Sequence, residues 1–361
     1  MTRWTLDDVA RMRLLSQRLV DPLATPAEVA RHLTCAQGQD FPGSTLSIAL
    51  RTTGRSLAEV HDAYDAGEIV RSWPMRGTLF VVAAEDLGWM LDIMGEPTRR
   101  ATARRRAELG LTDAQLERAE EVARAAIPQR GLVRGDLLDA WTEGGVPVDG
   151  GRGYHQIFYL ALGGVLCIGP TERAAGKAPE PRFVLAEQWL PARGAPLGRE
   201  EAVARWFTRY ARSHGPVAER DFLWWSQFPR RDLTPVLDEA TAELTSIDVD
   251  GVVRWVDPEV LEQYATRKRA TAAPLLLPGF DEIVLGYGDR TPVMTAEQER
   301  EHVVPGNNGM FKATVVRAGR AVGTWRKPTR RGAPVSVTPL DASLPGPVER
   351  ALPRLTRDLP A

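Results

Sequence analysis

Over the first part of the chain, apolar positions recur three and four residues apart across residues 6–18, 26 to about 37, 44–52 and 57–66. That period predicts four helices. Thr25 followed by Pro26 suits a helix start, with threonine as cap and proline in the first turn. The period then shortens: "EIVRSW" and "GTLFVV" read as strands joined by Pro74, Met75 and Arg76. Helices followed by a hairpin describe a winged helix, a variant of the helix-turn-helix.

The same order returns twice. "TDAQLERAEEVARAAI", "GLVRGDLLDAW" and "GYHQIFYLALGG" read as helices, followed by the strands "VLCIG" and "RFVLA" around a long loop. A third set begins with "GREEAVARWFTRYARSHG" and "PVAERDFLWWSQF" and closes with "TSIDVDGVVRWVD", whose Asp250-Gly251 pair is a hairpin turn signal. Recurrence of one element order marks a tandem array. From about Ala273 the chain turns β-rich, with a hairpin expected around Ala318-Gly319 and a Pro-rich closing tail. The expected fold is α+β: three winged-helix motifs and a β-rich C-terminal unit. The boundaries are 1–95, 96–197 (a basic linker and the second motif), 198–272 and 273–361.

A chain of 361 residues exceeds one typical core, and 43% hydrophobic with 26% charged residues is ordinary for a globular protein. The first residues form no apolar leader and no apolar run reaches membrane-spanning length, so the expected location is the cytoplasm, in association with the nucleoid. Cys35 and Cys167 sit in apolar surroundings and read as reduced core thiols. Net charge is −1, yet arginines cluster at Arg99, Arg100, Arg104, Arg105 and Arg106, again at Arg267, Lys268 and Arg269, and at Arg326, Lys327, Arg330 and Arg331. Focused basic patches on a neutral protein can bind a polyanion locally.

Most catalytic signatures are missing: no nucleophile elbow, no P-loop, no dinucleotide fingerprint. The five histidines show no i,i+4 pair, so local spacing assembles no metal site and no cofactor is expected. Asp281, Glu282 and Asp289, with Arg290, read either as an acid/base or metal set or as a turn closed by a salt bridge. Trp189, Trp206, Trp224 and Trp225 fall on helical faces and read as core. Asp40 reads as a cap or a base. Gln37 and Gln39 flank Gly38 at the expected end of the second helix. If glycine ends that helix, the two glutamines share one face of an extended segment. A neutral amide is a poor base, but it offers one acceptor and two donors, enough to hold a water or orient a sugar when the leaving group is already activated.

Four stretches then carry a resemblance: Gln37-x-Gln39, "RSWPMRGTL", "LLLPGFDEIVLGYGDR" and "VGTWR". Together they resemble the bacterial winged-helix DNA glycosylases of the AlkZ type. The resemblance implies a C-shaped array of three winged helices that excises N7-alkylated purines, crosslinked ones included, through a Gln-x-Gln motif. Carried over by position, the catalytic pair is Gln37 and Gln39, with Gln37 orienting the water and Gln39 the sugar or the water, in an order left open. Two positions depart from the family pattern: Gly38 where an apolar residue is usual, and Phe80 where a histidine is common. The expected partner is double-stranded DNA with alkylated purines, met by a monomer through Trp73, Arg76, Arg99, Arg100, Arg104, Arg317 and Arg320. The alternative is a non-catalytic winged-helix transcriptional regulator.

Overall fold

The computed structural model describes residues 3–192, 194–306, 308–327 and 333–360. Arg330 and Arg331 lie outside the described residues. The chain forms two compact units, Met1–Glu59 with Val203–Ala361, and Val60–Ala202.

In the first unit, capping boxes start the first two helices. Thr5 and Asp8 begin Leu6–Ser16, and Thr25 and Glu28 begin Pro26–Leu33, each satisfying two otherwise unpaired N–H groups. The second helix stops at Leu33, four residues short of the Gln37 end expected from its period, and Gly38 is not its terminator. Thr34 ends it, at φ +67° and ψ −58°. The next helix, Phe41–Ala49, begins three residues earlier than expected because Pro42 suits its first turn.

Further along this unit, the hairpin Thr245–Val249 with Val252–Val256 turns at Asp250 and Gly251, both at positive φ as a tight hairpin turn requires. Its inward residues Ile247, Val249 and Val256 pack with Val9, Met12 and Leu15 of the first helix. The C-terminal part is a four-stranded antiparallel sheet in the order Ser336–Pro339, Arg320–Arg326, Thr314–Arg317, Pro274–Leu277. The Pro-rich tail holds a helix, Gly346–Arg357, whose Val348, Leu352 and Leu355 cover the core behind that sheet.

The second unit contains both remaining hairpins, Ile69–Met75 with Thr78–Ala83 and Leu166–Glu172 with Glu180–Leu185. Expected as wings of separate modules, they join in one antiparallel sheet through Arg71 opposite Ile168, with Leu132–Val133 paired to the far edge. The helix Ala84–Ala101 runs from the expected first motif into the expected basic linker, which continues as the helix Ala103–Glu108. Leu87, Met90, Leu91, Ile93 and Met94 give the helix Ala84–Ala101 a buried stripe that anchors the arginines following it.

The Ala318-Gly319 turn is a close approach. Gly319 has φ +79°, and a Cβ there would lie 2.2 Å from the Ala10 carbonyl oxygen. Gly319→Ala should therefore cost distinctly more than the ~1 kcal/mol of positive φ alone. Gly176→Ala, at φ +76° with nothing within 4 Å, supplies the reference. Urea midpoints that fall equally for both would show that the hairpin tip is not pressed on the first helix.

Candidate active site

The turn after Leu33 is unusual. The N–H of Cys35 donates to the Leu33 carbonyl at 2.7 Å across Thr34. This is a γ-turn in its rarer, positive-φ form, strained for a β-branched residue. Thr34 is fully buried and its hydroxyl has no partner among the described residues. The turn reverses the chain into the short strand Ala36–Gln37, so both glutamines leave the helix on extended backbone.

Gln37 is held from two sides. Its backbone N–H donates to Glu282 Oε1 at 2.7 Å, and its side-chain Oε1 accepts from the N–H groups of Gly38 at 2.9 Å and Gln39 at 3.1 Å. Because both donors are backbone N–H groups, the amide orientation is fixed: oxygen inward, NH₂ outward. Gln39 is exposed, and its side chain has no partner among the described residues. The pair thus differs in what it offers. Gln37 presents donors from a fixed position, and Gln39 presents a free carbonyl and a free NH₂. Asp40 stands at the N-cap of Phe41–Ala49 without accepting a cap hydrogen bond; its carboxylate lies over Gly43.

Glu282 is 1% exposed and begins the short helix Glu282–Leu285. Its Oε2 accepts from Trp225 Nε1 at 3.2 Å and meets His214 Nε2 at 3.3 Å. The His214 ring stacks on Tyr210 at 4.7 Å, and its Nδ1 meets the Ser213 hydroxyl at 2.9 Å. Every group around the carboxylate is a donor when His214 carries its proton on Nε2, which suits an acceptor-only carboxylate.

Beside it, Asp281 makes a two-pronged pair with Arg51, at 2.9 Å on each arm. Arg51 also donates to the Gln17 carbonyl, Gln17 Oε1 and Ser47, so its fork is fully used. Gln17 Nε2 donates to the Tyr287 hydroxyl, which donates to the His214 carbonyl. The chain of bonds thus runs from Arg51 back to Glu282. Burial alone would push the Asp281 carboxyl up. The Arg51 guanidinium, the Ser47 hydroxyl and the Ile283 N–H outweigh it and hold Asp281 below the ordinary value.

Neither open reading of the acidic stretch describes this arrangement. Asp289 pairs with Arg220 at 2.6 Å and with Arg254, while Arg290 pairs with Glu299 at 2.7 Å. Asp281 and Glu282 are structural acceptors behind the glutamines. Among the described residues no group of three or more His, Cys, Asp and Glu side chains is arranged to hold a metal. Cys35 and Cys167 are free and buried, and burial pushes the Cys167 thiol up to about 12.

Burial corrects the expected contact at Trp73, and several of the expected arginines are engaged within the protein. Trp73 is 2% exposed in the core of the second unit and edges a cavity of about 290 Å³ with Tyr154 and Phe183, so it is not a surface platform. Arg99 donates to the Tyr159 carbonyl and lies over the Tyr159 ring at 4.0 Å. Arg320 pairs with Asp7 at 3.2 Å, and the turn beside it is tucked against Ala10. Arg317 is half-buried, with its Nε enclosed and without a hydrogen-bond partner among the described residues. Arg76 sits half-buried in its hairpin turn at φ +59°. Arg100 and Arg104 remain well exposed, at 72% and 92%, paired along their own helices with Glu96 and Glu108. Trp225, read as core, is buried and donates to Glu282, while the sequence reading missed Arg51 and Gln17. No local motif marks them, since each meets its partners across long stretches of chain.

Comparison with known proteins follows the same outline. The chain matches the family described as DNA glycosylase AlkZ-like over residues 30–359. It is similar to an interstrand DNA cross-link repair glycosylase of Streptomyces sahachiroi, 25% identical over 321 residues, covering 86% of this chain and 85% of that protein. Among solved structures it is similar to the Streptomyces sahachiroi DNA glycosylase AlkZ, with a TM-score of 0.78 and 23% identity, covering 99% of this chain and 98% of that one.

A depressed carboxyl contributes stability that is complete above its unfolded value, about 3.9, and is lost as pH falls through the lower folded value. Asp281→Asn should therefore lower stability near pH 7 by about 3–5 kcal/mol, because Arg51 stays buried and unpaired, and should flatten the acid limb below about pH 4. Denaturant titrations across pH measure both. An acid limb as steep as that of the parent protein would remove Asp281 from the pH dependence.

Proposed function

The chain belongs to the DNA glycosylase AlkZ-like family, and we propose that it is a monofunctional hydrolase that cleaves the N-glycosidic bond of N7-alkylated purines in double-stranded DNA. We further propose that its substrates include purines tied into interstrand crosslinks, a reading supported by its similarity to the Streptomyces sahachiroi interstrand DNA cross-link repair glycosylase. In this reading the recurring helices and hairpins are winged helices, three in tandem. Membership of a glycosylase family weighs against the regulator alternative.

The observation that carries the chemistry is the unequal amide pair: an anchored Gln37 beside an unengaged, exposed Gln39. Alkylation at N7 makes the purine cationic. Its bond to C1′ then breaks with both electrons passing to the base, which leaves neutral while the sugar becomes oxocarbenium-like. Little acid assistance is needed, unlike the two-carboxylate hydrolysis of ordinary glycosides. What remains is to place a water and stabilise positive charge at the sugar. The Gln39 carbonyl is the acceptor open to that water. The outward NH₂ of Gln37, its oxygen already committed, orients the water or a sugar oxygen. The water oxygen bonds C1′ and its proton passes to solvent. A preorganised dipole of this kind contributes ~3–4 kcal/mol.

Duplex DNA carrying 7-methylguanine, incubated with the protein, should yield free 7-methylguanine. Gln39→Ala should slow single-turnover release by about 100-fold or more, and Gln37→Ala should also slow it, with the double change removing most activity. Absence of free base with the unaltered protein would end the glycosylase reading.

Duplex affinity tests the surface arginines separately. Replacing Arg100 and Arg104 together by glutamine should make the log K against log salt slope shallower by about 2, close to one unit for each lost phosphate contact. An unchanged slope would take both residues out of the DNA interface.

A further inference from the structure

Phe280 is a backbone outlier at φ +62°. A bulky residue holds that conformation only where its surroundings impose it, and such residues gather at functional sites. Both sides impose it here. The two residues that follow, Asp281 and Glu282, are clamped to Arg51 and to the Gln37 N–H. On the other side, a Cβ at Gly279 would lie 2.6 Å from the Phe311 carbonyl oxygen, so Gly279 is pressed on that strand of chain. The Gly279 carbonyl and the Asp40 carboxylate both lie over Gly43. Phe280 is therefore held at the rim on which Gln39 and Asp40 stand.

The ring is half-buried, 6.0 Å from Phe311 and tilted by 56°. Phe311 already carries a cation, Arg290, at 5.2 Å, and Arg290 also lies over Trp224 at 4.8 Å. Among the described residues no cation sits on Phe280. It is the ring of this cluster without a cation, and the residues that follow it, Asp281 and Glu282, support the turn that bears the glutamines. If it merely covered the core, any apolar residue of similar size would serve in its place.

We propose that Phe280 receives the alkylated purine and selects it by its positive charge. This rests on the glycosylase reading and adds the specificity determinant to it. The face of an aromatic ring is electron-rich, so a cationic purine is held more tightly than an uncharged one of the same shape. The preference disappears once the bond to C1′ breaks, because the base departs neutral. Recognition and product release then follow from one change of charge.

The test compares binding to duplexes carrying 7-methylguanine, made resistant to cleavage by a 2′-fluoro sugar, with binding to the same duplex carrying guanine. The parent protein should prefer the cationic base by about 3- to 30-fold. Phe280→Leu should abolish that preference while binding to the undamaged duplex stays the same, and kcat/KM for release of ordinary 7-methylguanine should fall by a similar factor. Phe280→Trp should keep or increase the preference, since indole is the stronger partner for a cation. A preference that survives in Phe280→Leu, or is lost in Phe280→Trp, overturns the proposal. If the leucine variant does not fold, the tryptophan variant decides alone. Failure of the parent protein to release any base, with the binding preference intact, would overturn the glycosylase reading and leave this one standing.

Discussion

The hydrogen bond from the Gln37 N–H to the Glu282 carboxylate joins the interior of the protein to the turn that bears its glutamines. Burying a carboxylate costs several kcal/mol unless its lone pairs are occupied. Glu282 meets that condition through Gln37, Trp225 and His214 at once. A hydrogen bond to a charged group is worth about 1.5–3 kcal/mol net, so the pull on the Gln37 backbone exceeds that of an ordinary strand contact. An apolar side chain at 282 would pack as well, but it would leave the Gln37 N–H without its acceptor. Position, rather than stability, is what the buried acid provides.

The same logic explains the strain before the motif. A γ-turn at Thr34 is costly, and a looser exit from the helix Pro26–Leu33 would avoid it. The tight reversal sends Ala36 and Gln37 out in extended form, where the Gln37 oxygen can reach the next two N–H groups. Gly38 supports this arrangement without needing positive φ. At the motif centre its N–H donates to the Gln37 side-chain oxygen at 2.9 Å. The outcome is one fixed amide and one free amide, a division of labour that suits a reaction whose leaving group needs little help.

Charge in this protein is less available than its sequence suggests. Arg13 lies over the Tyr287 ring at 3.5 Å and pairs with Asp221, Arg51 is enclosed by Asp281, and Arg254 is 2% exposed. Arg99 and Arg320 are tied to neighbours in their own units. Arg13, Arg51 and Arg254 serve as planar internal forks, so these charges are withdrawn from any phosphate. Counting basic residues along the chain therefore overstates the footprint for a polyanion.

Much of the architecture was legible along the chain. The helix-then-hairpin order, the Thr25-Pro26 start and the Asp250-Gly251 turn rest on local rules of period, capping and turn chemistry, which neighbouring residues are enough to express. The Pro26 helix was read too long because its apolar period continues to Ala36 while the backbone has already reversed. The helix Ala84–Ala101 carries its buried stripe at Leu87, Met90 and Ile93, ahead of the arginines of the expected linker. Long-range pairing decided the rest: two hairpins merging into one sheet at Arg71 and Ile168, the burial of Trp73, and the packing of the Gly319 turn on Ala10. The sequence alone determined that two amides would stand at a helix exit. Only the tertiary structure decided which amide is held and which is free, because Glu282 lies 245 residues from Gln37 and a hydrogen bond across that span exists only once the chain has closed on itself.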